Sequence, residues 1–170
     1  NIPYQATEFF PIPINDTYMD WQIVGENKTN HTIEVIVVAA PKVLVNSLNE
    51  AIKSAGFELM GLETKPSAVS RALISEDDIG PYLIMDIGAR ITGLTCYDMK
   101  TIKLTSTATL GGDEIQKDFE NSLKSISSEA IHLIKYYQNR VGQSQVFKKI
   151  ILAGGGANIE RIAPTIEKLT

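Results

Sequence analysis

Two glycine turns, each placed where an apolar strand is predicted to end, constrain the fold of this chain more than any other feature. The first turn joins Asp86 to Gly88 after the apolar residues 82–85, and the second runs from Gly154 to Ala157 after a strand predicted over residues 148–153. Glycine lets a main chain approach a phosphate or a purine without an intervening side chain, and free N–H groups at a helix start favour an anion. The two turns together predict one side of a nucleotide-binding cleft.

A third glycine pair supports this interpretation. Gly111 and Gly112 follow the alternating residues 102–110 and precede a helix predicted to start at Asp113. Each motif alone has a simpler explanation, because an aspartate such as Asp86 often caps its own turn and a glycine often begins a helix. Three successive glycines exceed what a helix start needs, so close approach of an adenine and its ribose explains the run 154–156 better.

Composition excludes several classes of function. The chain has 170 residues, 44% of them hydrophobic, which is enough to bury a core, and its net charge of -4 leaves no basic stripe for nucleic acid. A single cysteine, Cys96, excludes an internal disulfide framework. No apolar run reaches the roughly 18 residues of a membrane span. Because the chain starts at Asn1 without a signal-peptide pattern, we expect it to be a piece of a longer cytosolic protein.

The first part of the chain predicts a strand-helix-strand unit after an initial strand. Strands are expected around residues 21–24, 33–40 and 57–63, with a helix that starts at Pro41 and ends at Gly56. A short helix from Pro66 to Leu73 follows. The acidic segment 75–80 reads as an exposed turn and is the best candidate domain boundary.

The second part predicts a three-stranded meander over residues 82–110, with the turn after Asp86 at its first hairpin. Helices are expected from Asp113 to about Glu120 and over residues 127–140. A strand around Ile150 then leads through the triple glycine into a helix that starts at Asn158. Mixed strands and helices in this order indicate an α/β fold with a twisted sheet.

Three segments carry a resemblance to the actin-like ATPase superfamily. DIGARITGLTCYD from Asp86 resembles its second phosphate loop, LGGDEI from Leu110 the following glycine pair, and IILAGGGANIERI from Ile150 the adenosine loop. The runs from Phe9 to Glu26 and from Glu34 to Leu73 are similar to the PilM family of type IV pilus assembly. The resemblance implies an actin-like ATPase (ribonuclease H-like) α/β fold with a small inserted α+β subdomain, a subdomain that this family shares with FtsA.

The resemblance also implies a site for ATP and magnesium. Asp86 would bind Mg²⁺ directly or through water, and the turn after it would face the β- and γ-phosphates. The glycine pair would follow the phosphates, and the triple glycine would face the adenosine. The nucleotide-binding residues expected on this basis are Asp86, Gly88, Ala89, Arg90, Thr92, Gly111, Gly112, Asp113, Gly154, Gly155, Gly156 and Ala157.

By the same resemblance, residues 1–63 would form the inserted partner-binding subdomain, residues 64–80 a helix and connector of the first lobe, and residues 81–170 the second-lobe nucleotide-binding domain. The whole protein would be a cytoplasmic ATP-binding scaffold of the pilus inner-membrane complex. It would bind the N-terminal cytoplasmic segment of PilN, and through it PilO, and so reach the membrane indirectly; self-assembly is a further expectation.

Two departures from the family pattern accompany the resemblance. Residues 1–170 do not include the first phosphate loop that the family carries before the inserted subdomain, and a short connection over residues 121–126 is expected where the family has a longer segment. No residue is assigned as a catalytic base, so a nucleotide-dependent scaffold is favoured over a fast ATPase. The alternatives are an FtsA-like cell-division filament protein and a metabolic kinase of the same superfamily.

Overall fold

A computed structural model describes residues 10, 13–27, 30–141 and 146–170. The chain divides into two compact units, an N-terminal unit that ends at Thr64 and a C-terminal unit that covers Lys65–Thr170. The acidic turn over residues 75–80 therefore lies inside the C-terminal unit and is not the boundary between units. The finer division into an inserted subdomain, a connector and a second lobe stays a prediction.

The N-terminal unit contains a β-hairpin. Strands β1 (Thr17–Asn27) and β2 (Thr32–Pro41) pair in antiparallel register, with a bulge between Ile23 and Gly25. The β-branched residues that dominate the middle of β2 favour an extended main chain. Both strands agree with the prediction and extend beyond it at each end, because each provides the other with hydrogen-bonding partners.

Helix α1 (Lys42–Ser54) follows β2 directly and ends just before Gly56, as predicted. The strand predicted over residues 57–63 is wrong, since these residues have no regular secondary structure. A strand needs a neighbour for its main-chain N–H and C=O groups, and within the described ranges no third strand joins β1 and β2. Phe57 and Met60 of this segment are 71% and 90% exposed.

The C-terminal unit is built on a mixed four-stranded sheet of β3 (Tyr82–Ile87), β4 (Thr92–Asp98), β5 (Thr101–Ala108) and β6 (Lys149–Ala153). The strand order in the sheet is β5-β4-β3-β6. Strands β3, β4 and β5 form the predicted antiparallel meander, and β6 pairs with β3 in parallel.

Strand β3 is buried along its whole length because both faces of the sheet are covered. Leu83, Met85 and Ile87 alternate onto the face that packs against the later helices. Tyr82 and Ile84 lie on the opposite face, where the segment around helix α2 (Lys65–Leu73) covers them. The main core contains Leu83, Met85, Ile87, Leu94, Ala108, Ile115, Leu123, Ile126, Ala130, Ile162 and Ile166.

Helix α3 (Gly112–Lys117) is shorter than predicted and helix α4 (Phe119–Val141) is longer. The predicted connection over residues 121–126 is wrong, because it lies within α4. The break falls at Asp118, whose carboxylate accepts hydrogen bonds from the main-chain N–H and the side-chain amide of Asn121 and so caps α4. Although α4 has 23 residues, no described helix is both long and apolar enough to cross a membrane.

The helix predicted to start at Asn158 starts later. The triple glycine leads into a 3-10 turn (Gly155–Asn158), and helix α5 (Ile162–Leu169) begins four residues further on. Pro164 lies in the first turn of α5, where its missing N–H costs no helical hydrogen bond. Buried Ile162 and Ile166 place α5 against the core, as their helical spacing predicts.

Candidate functional site

Asp86 lies at the carboxyl end of β3. It is opposite Gly93 of β4 on one side and Ala153 of β6 on the other, so it lies next to the start of the triple glycine. Only 11% of its side chain is exposed. By the alternation of the strand, this side chain lies on the same face as Ile84, the face that α2 covers.

Lys65, the first residue of α2, forms an ion pair with this carboxylate. The distance from Lys65 Nζ to Asp86 Oδ2 is 2.5 Å, and the lysine side chain is 66% exposed. Because the ammonium is largely solvated, the pair contributes only about 0.2–1 kcal/mol to stability. Sequence reasoning missed Lys65, since a lysine before Pro66 carries no local signal and only the placement of α2 over the end of β3 brings it to Asp86.

The hairpin after Asp86 is the loop that was predicted to face phosphates. The Gly88 N–H donates to the Ile91 carbonyl oxygen at 2.9 Å, which closes the hairpin. Thr92 is buried, and its hydroxyl donates to the Leu110 carbonyl oxygen at 2.8 Å. Of the residues predicted for this loop, Ala89 and Arg90 are exposed at its tip, whereas the N–H of Gly88 and the hydroxyl of Thr92 are engaged within the protein.

The glycine pair at the start of α3, Gly111 and Gly112, packs directly on that hairpin. The Gly112 N–H donates to the Gly88 carbonyl oxygen at 2.8 Å, and the Asp113 N–H donates to the Ala89 carbonyl oxygen at 2.9 Å. A Cβ on Gly111 would lie 2.5 Å from the Ala89 carbonyl oxygen, closer than any real side chain can stand. These contacts explain why glycines occupy the start of α3, and they hold the Gly111–Gly112 motif against the hairpin that follows Asp86.

The triple glycine lies against the other side of the same segment. Gly154 has a φ of +80°, and a Cβ on it would lie 2.5 Å from the Ile87 carbonyl oxygen and 2.6 Å from Asp86 Oδ1. Gly156 is buried against the side chain of Ile87. Gly155 differs, because it is exposed and a Cβ there would meet no atom within 4 Å. Packing thus accounts for two of the glycines and leaves Gly155 facing open space.

These contacts bring the three predicted motifs together at the carboxyl ends of β3 and β6. The resulting surface consists of main chain and small side chains, with the carboxylate of Asp86 and the ammonium of Lys65 beside it. A surface with few side chains allows a flat ring or a phosphate to approach the main chain closely. The geometry is therefore suited to an anionic ligand with a planar group.

The magnesium ligand expected at this surface is a single carboxylate, that of Asp86. Magnesium in proteins is bound by one or two carboxylates together with waters and phosphates. Within the part of the chain that the structure describes, no group of three or more His, Cys, Asp or Glu side chains could hold a metal ion. Asp86, the predicted ligand, is already in contact with the Lys65 ammonium.

Comparison with known proteins gives two kinds of similarity. No protein-family model matches the chain. The cell division protein FtsA of Bacillus subtilis (strain 168) is 25% identical over 126 residues, which are 71% of this chain and 28% of that protein. FtsA of Neisseria meningitidis serogroup B (strain ATCC BAA-335 / MC58) is 24% identical over 131 residues, 73% of this chain and 31% of that protein.

Among solved structures, a chain of a PilM-PilN type IV pilus biogenesis complex superposes with a TM-score of 0.68 at 20% sequence identity. The match covers 99% of this chain and 58% of that one. It confirms the predicted actin-like α/β fold. The chain spans 28% and 31% of the two FtsA proteins, so it corresponds to only part of these relatives.

Proposed function

We propose that this chain is part of an actin-like nucleotide-binding scaffold of the type IV pilus assembly machinery. The observation that carries the proposal is the convergence of three glycine motifs on the segment from Asp86 to Ala89, through the hydrogen bonds of Gly112 and Asp113 and the close contact of Gly154. Motifs that are separate in sequence share one surface, as a ligand site requires.

ATP is the proposed ligand. Its adenosine would lie over the triple glycine, where Gly155 is the member open to a ligand, and its phosphates would lie near Ala89 and Arg90 at the hairpin tip. The buried glycines Gly111, Gly112 and Gly156 and the neighbouring Asp113 and Ala157 would shape the floor of the site. Magnesium enters this proposal as the counter-ion of the bound phosphates.

We assign no catalytic residue for hydrolysis. The carboxylate of Asp86 is engaged by the Lys65 ammonium, so we do not assign it as a base for a water molecule. The scaffold function therefore needs nucleotide binding and does not need rapid turnover. Any coupling to assembly would come from the difference in partner affinity between the nucleotide-bound and nucleotide-free protein.

The proposed partner is the N-terminal cytoplasmic segment of a PilN-like membrane protein, with a PilO-like protein reached through it. The N-terminal unit supports this with exposed apolar side chains on α1: Val43 is 80%, Leu44 55% and Leu48 43% exposed. They would form one wall for a short apolar peptide. Residues 9–14 would form the other wall, and three of them, residues 9, 11 and 12, lie outside the described residues. Membrane association would follow from this partner.

Calorimetry with MgATP on the full-length protein tests the nucleotide site. Gly155→Val fills the open space over the triple glycine and should reduce ATP affinity about tenfold or more, with thermal unfolding unchanged. Gly61→Val is the matched control, because Gly61 is also exposed and a Cβ there also meets nothing within 4 Å. ATP binding that is equally strong in both variants, or absent from the unmodified protein, would refute the proposed site.

An FtsA-like filament protein of cell division is the second candidate, favoured by the two FtsA relatives. The two candidates differ in what the protein assembles with. Titration with a labelled PilN N-terminal peptide should show saturable binding if the pilus assignment is right. Sedimentation of nucleotide-dependent filaments, without any peptide binding, would favour the cell-division assignment.

A further inference from the structure

The carboxylate of Asp86 lies between Lys65 and Gly154, and its Oδ2 is engaged by the lysine ammonium. Oδ2 lies 2.5 Å from Lys65 Nζ, and Oδ1 lies 2.6 Å from the position that a Cβ on Gly154 would take. A magnesium ion bonded to Oδ2 would stand about 2.0–2.1 Å from it, within the space that the ammonium fills. A metal ion and this lysine therefore exclude each other on that oxygen.

We propose that the Lys65 ammonium takes the place of a protein-bound divalent cation beside Asp86, so that the site accepts a nucleotide polyphosphate without requiring magnesium. The first half of this proposal, exclusion of a divalent cation, is independent of nucleotide binding. The second half, weak dependence of nucleotide affinity on magnesium, rests on the function proposed above.

A lysine side chain can both neutralise the Asp86 carboxylate and bind phosphate oxygens. A lone carboxylate at this surface would repel phosphates, whereas a carboxylate paired with an ammonium carries no net charge. The ammonium has three N–H donors. One is directed at Asp86, and since the Lys65 side chain is 66% exposed the others face solvent, where a phosphate oxygen can accept them. Lys65 would thus neutralise Asp86 and contact the phosphates.

The first experiment measures ATP affinity by calorimetry on the full chain, once with excess magnesium and once with EDTA. Lys65→Met removes the ammonium and keeps the length of the side chain, Lys65→Arg keeps the charge, and Lys124→Met removes a charge from an exposed position on α4. The ATP dissociation constant of the unmodified protein, of Lys65→Arg and of Lys124→Met should change by less than about threefold between magnesium and EDTA. That of Lys65→Met should change by about tenfold or more. An unmodified protein that loses as much affinity in EDTA as Lys65→Met would overturn the proposal.

The second experiment needs no nucleotide. Mn²⁺ is titrated into labelled full chain, and paramagnetic broadening of the Gly88 and Gly154 amide signals is followed by NMR. Broadening should be marked in Lys65→Met and absent from the unmodified protein and Lys124→Met. Equal broadening in all three, or none in Lys65→Met, would show that Lys65 does not exclude the cation. Failure of ATP to bind any variant would refute the proposed function, and the Mn²⁺ result would still decide the status of Lys65.

Discussion

Gly154 lies so close to Ile87 that a Cβ on the glycine would stand 2.5 Å from the Ile87 carbonyl oxygen. The contact joins the end of β6 to the end of β3, and it depends on a φ of +80°, which side-chain-bearing residues rarely adopt. Gly154, the first residue of the triple glycine, therefore has a structural role that does not depend on a ligand.

Gly154→Ala should lower the free energy of unfolding by about 2 kcal/mol or more, because it adds both a positive-φ penalty and a main-chain collision. Gly155→Ala is the control in the adjacent residue, where a Cβ meets nothing within 4 Å. Chemical denaturation of both variants measures the difference. Equal losses of stability would mean that the contact between Gly154 and Ile87 does not constrain the fold.

Tyr137→Phe should destabilise the C-terminal unit by about 1.5–3 kcal/mol. The Tyr137 hydroxyl donates a hydrogen bond to Asp98 Oδ2, and both residues are 3% exposed. The phenyl ring keeps the edge-to-face contact with Phe147, so the change isolates the loss of the donor. Tyr136→Phe, at a 56% exposed position, should stay within about 0.5 kcal/mol of the unmodified protein. Equal unfolding midpoints for the two variants in urea would contradict this.

Ser127→Ala should stabilise the protein. Ser127 is 2% exposed in the core face of α4, and its hydroxyl has no hydrogen-bond partner among the described residues. Removing an unsatisfied buried hydroxyl should raise the free energy of unfolding by about 1 kcal/mol beyond the gain in helix propensity. Exposed Ser128→Ala provides the propensity gain alone. A thermal midpoint for Ser127→Ala at or below that of Ser128→Ala would show that the hydroxyl is satisfied.

Cys96 should resist alkylation in the folded protein. Burial raises the pKa of its thiol from 9.0 to about 12, with the nearby carboxylate of Asp98 adding to the rise. A raised pKa leaves the thiol protonated at about pH 8–9, and the thiolate is the reactive form. Labelling by iodoacetamide, followed by mass spectrometry, should therefore be slow without denaturant and fast in urea. Rapid native labelling at this pH would contradict the buried, protonated thiol.

Much of the fold was predictable because it depends on neighbours in sequence. The meander over residues 82–108 joins adjacent strands by short turns, and α1 begins after Pro41 and ends before Gly56. Two predictions of secondary structure failed because each element depends on one interaction that the sequence pattern does not show. Among the described residues no strand pairs with the strand-like segment 57–63, and Asp118 caps a helix that the sequence pattern divided at a later point.

The candidate site likewise has some features that depend on local sequence and others that depend on tertiary packing. Turn and strand preferences are local, so the three glycine motifs, the strands that precede them and the position of Asp86 at a strand end could be read from the residues alone. The contact of Lys65 with Asp86, the packing of Gly111 and Gly112 on the Gly88 hairpin and the exposure of Gly155 to open space depend on tertiary packing. These relationships are distances between segments far apart in the chain, and they exist only after the sheet and helices have packed.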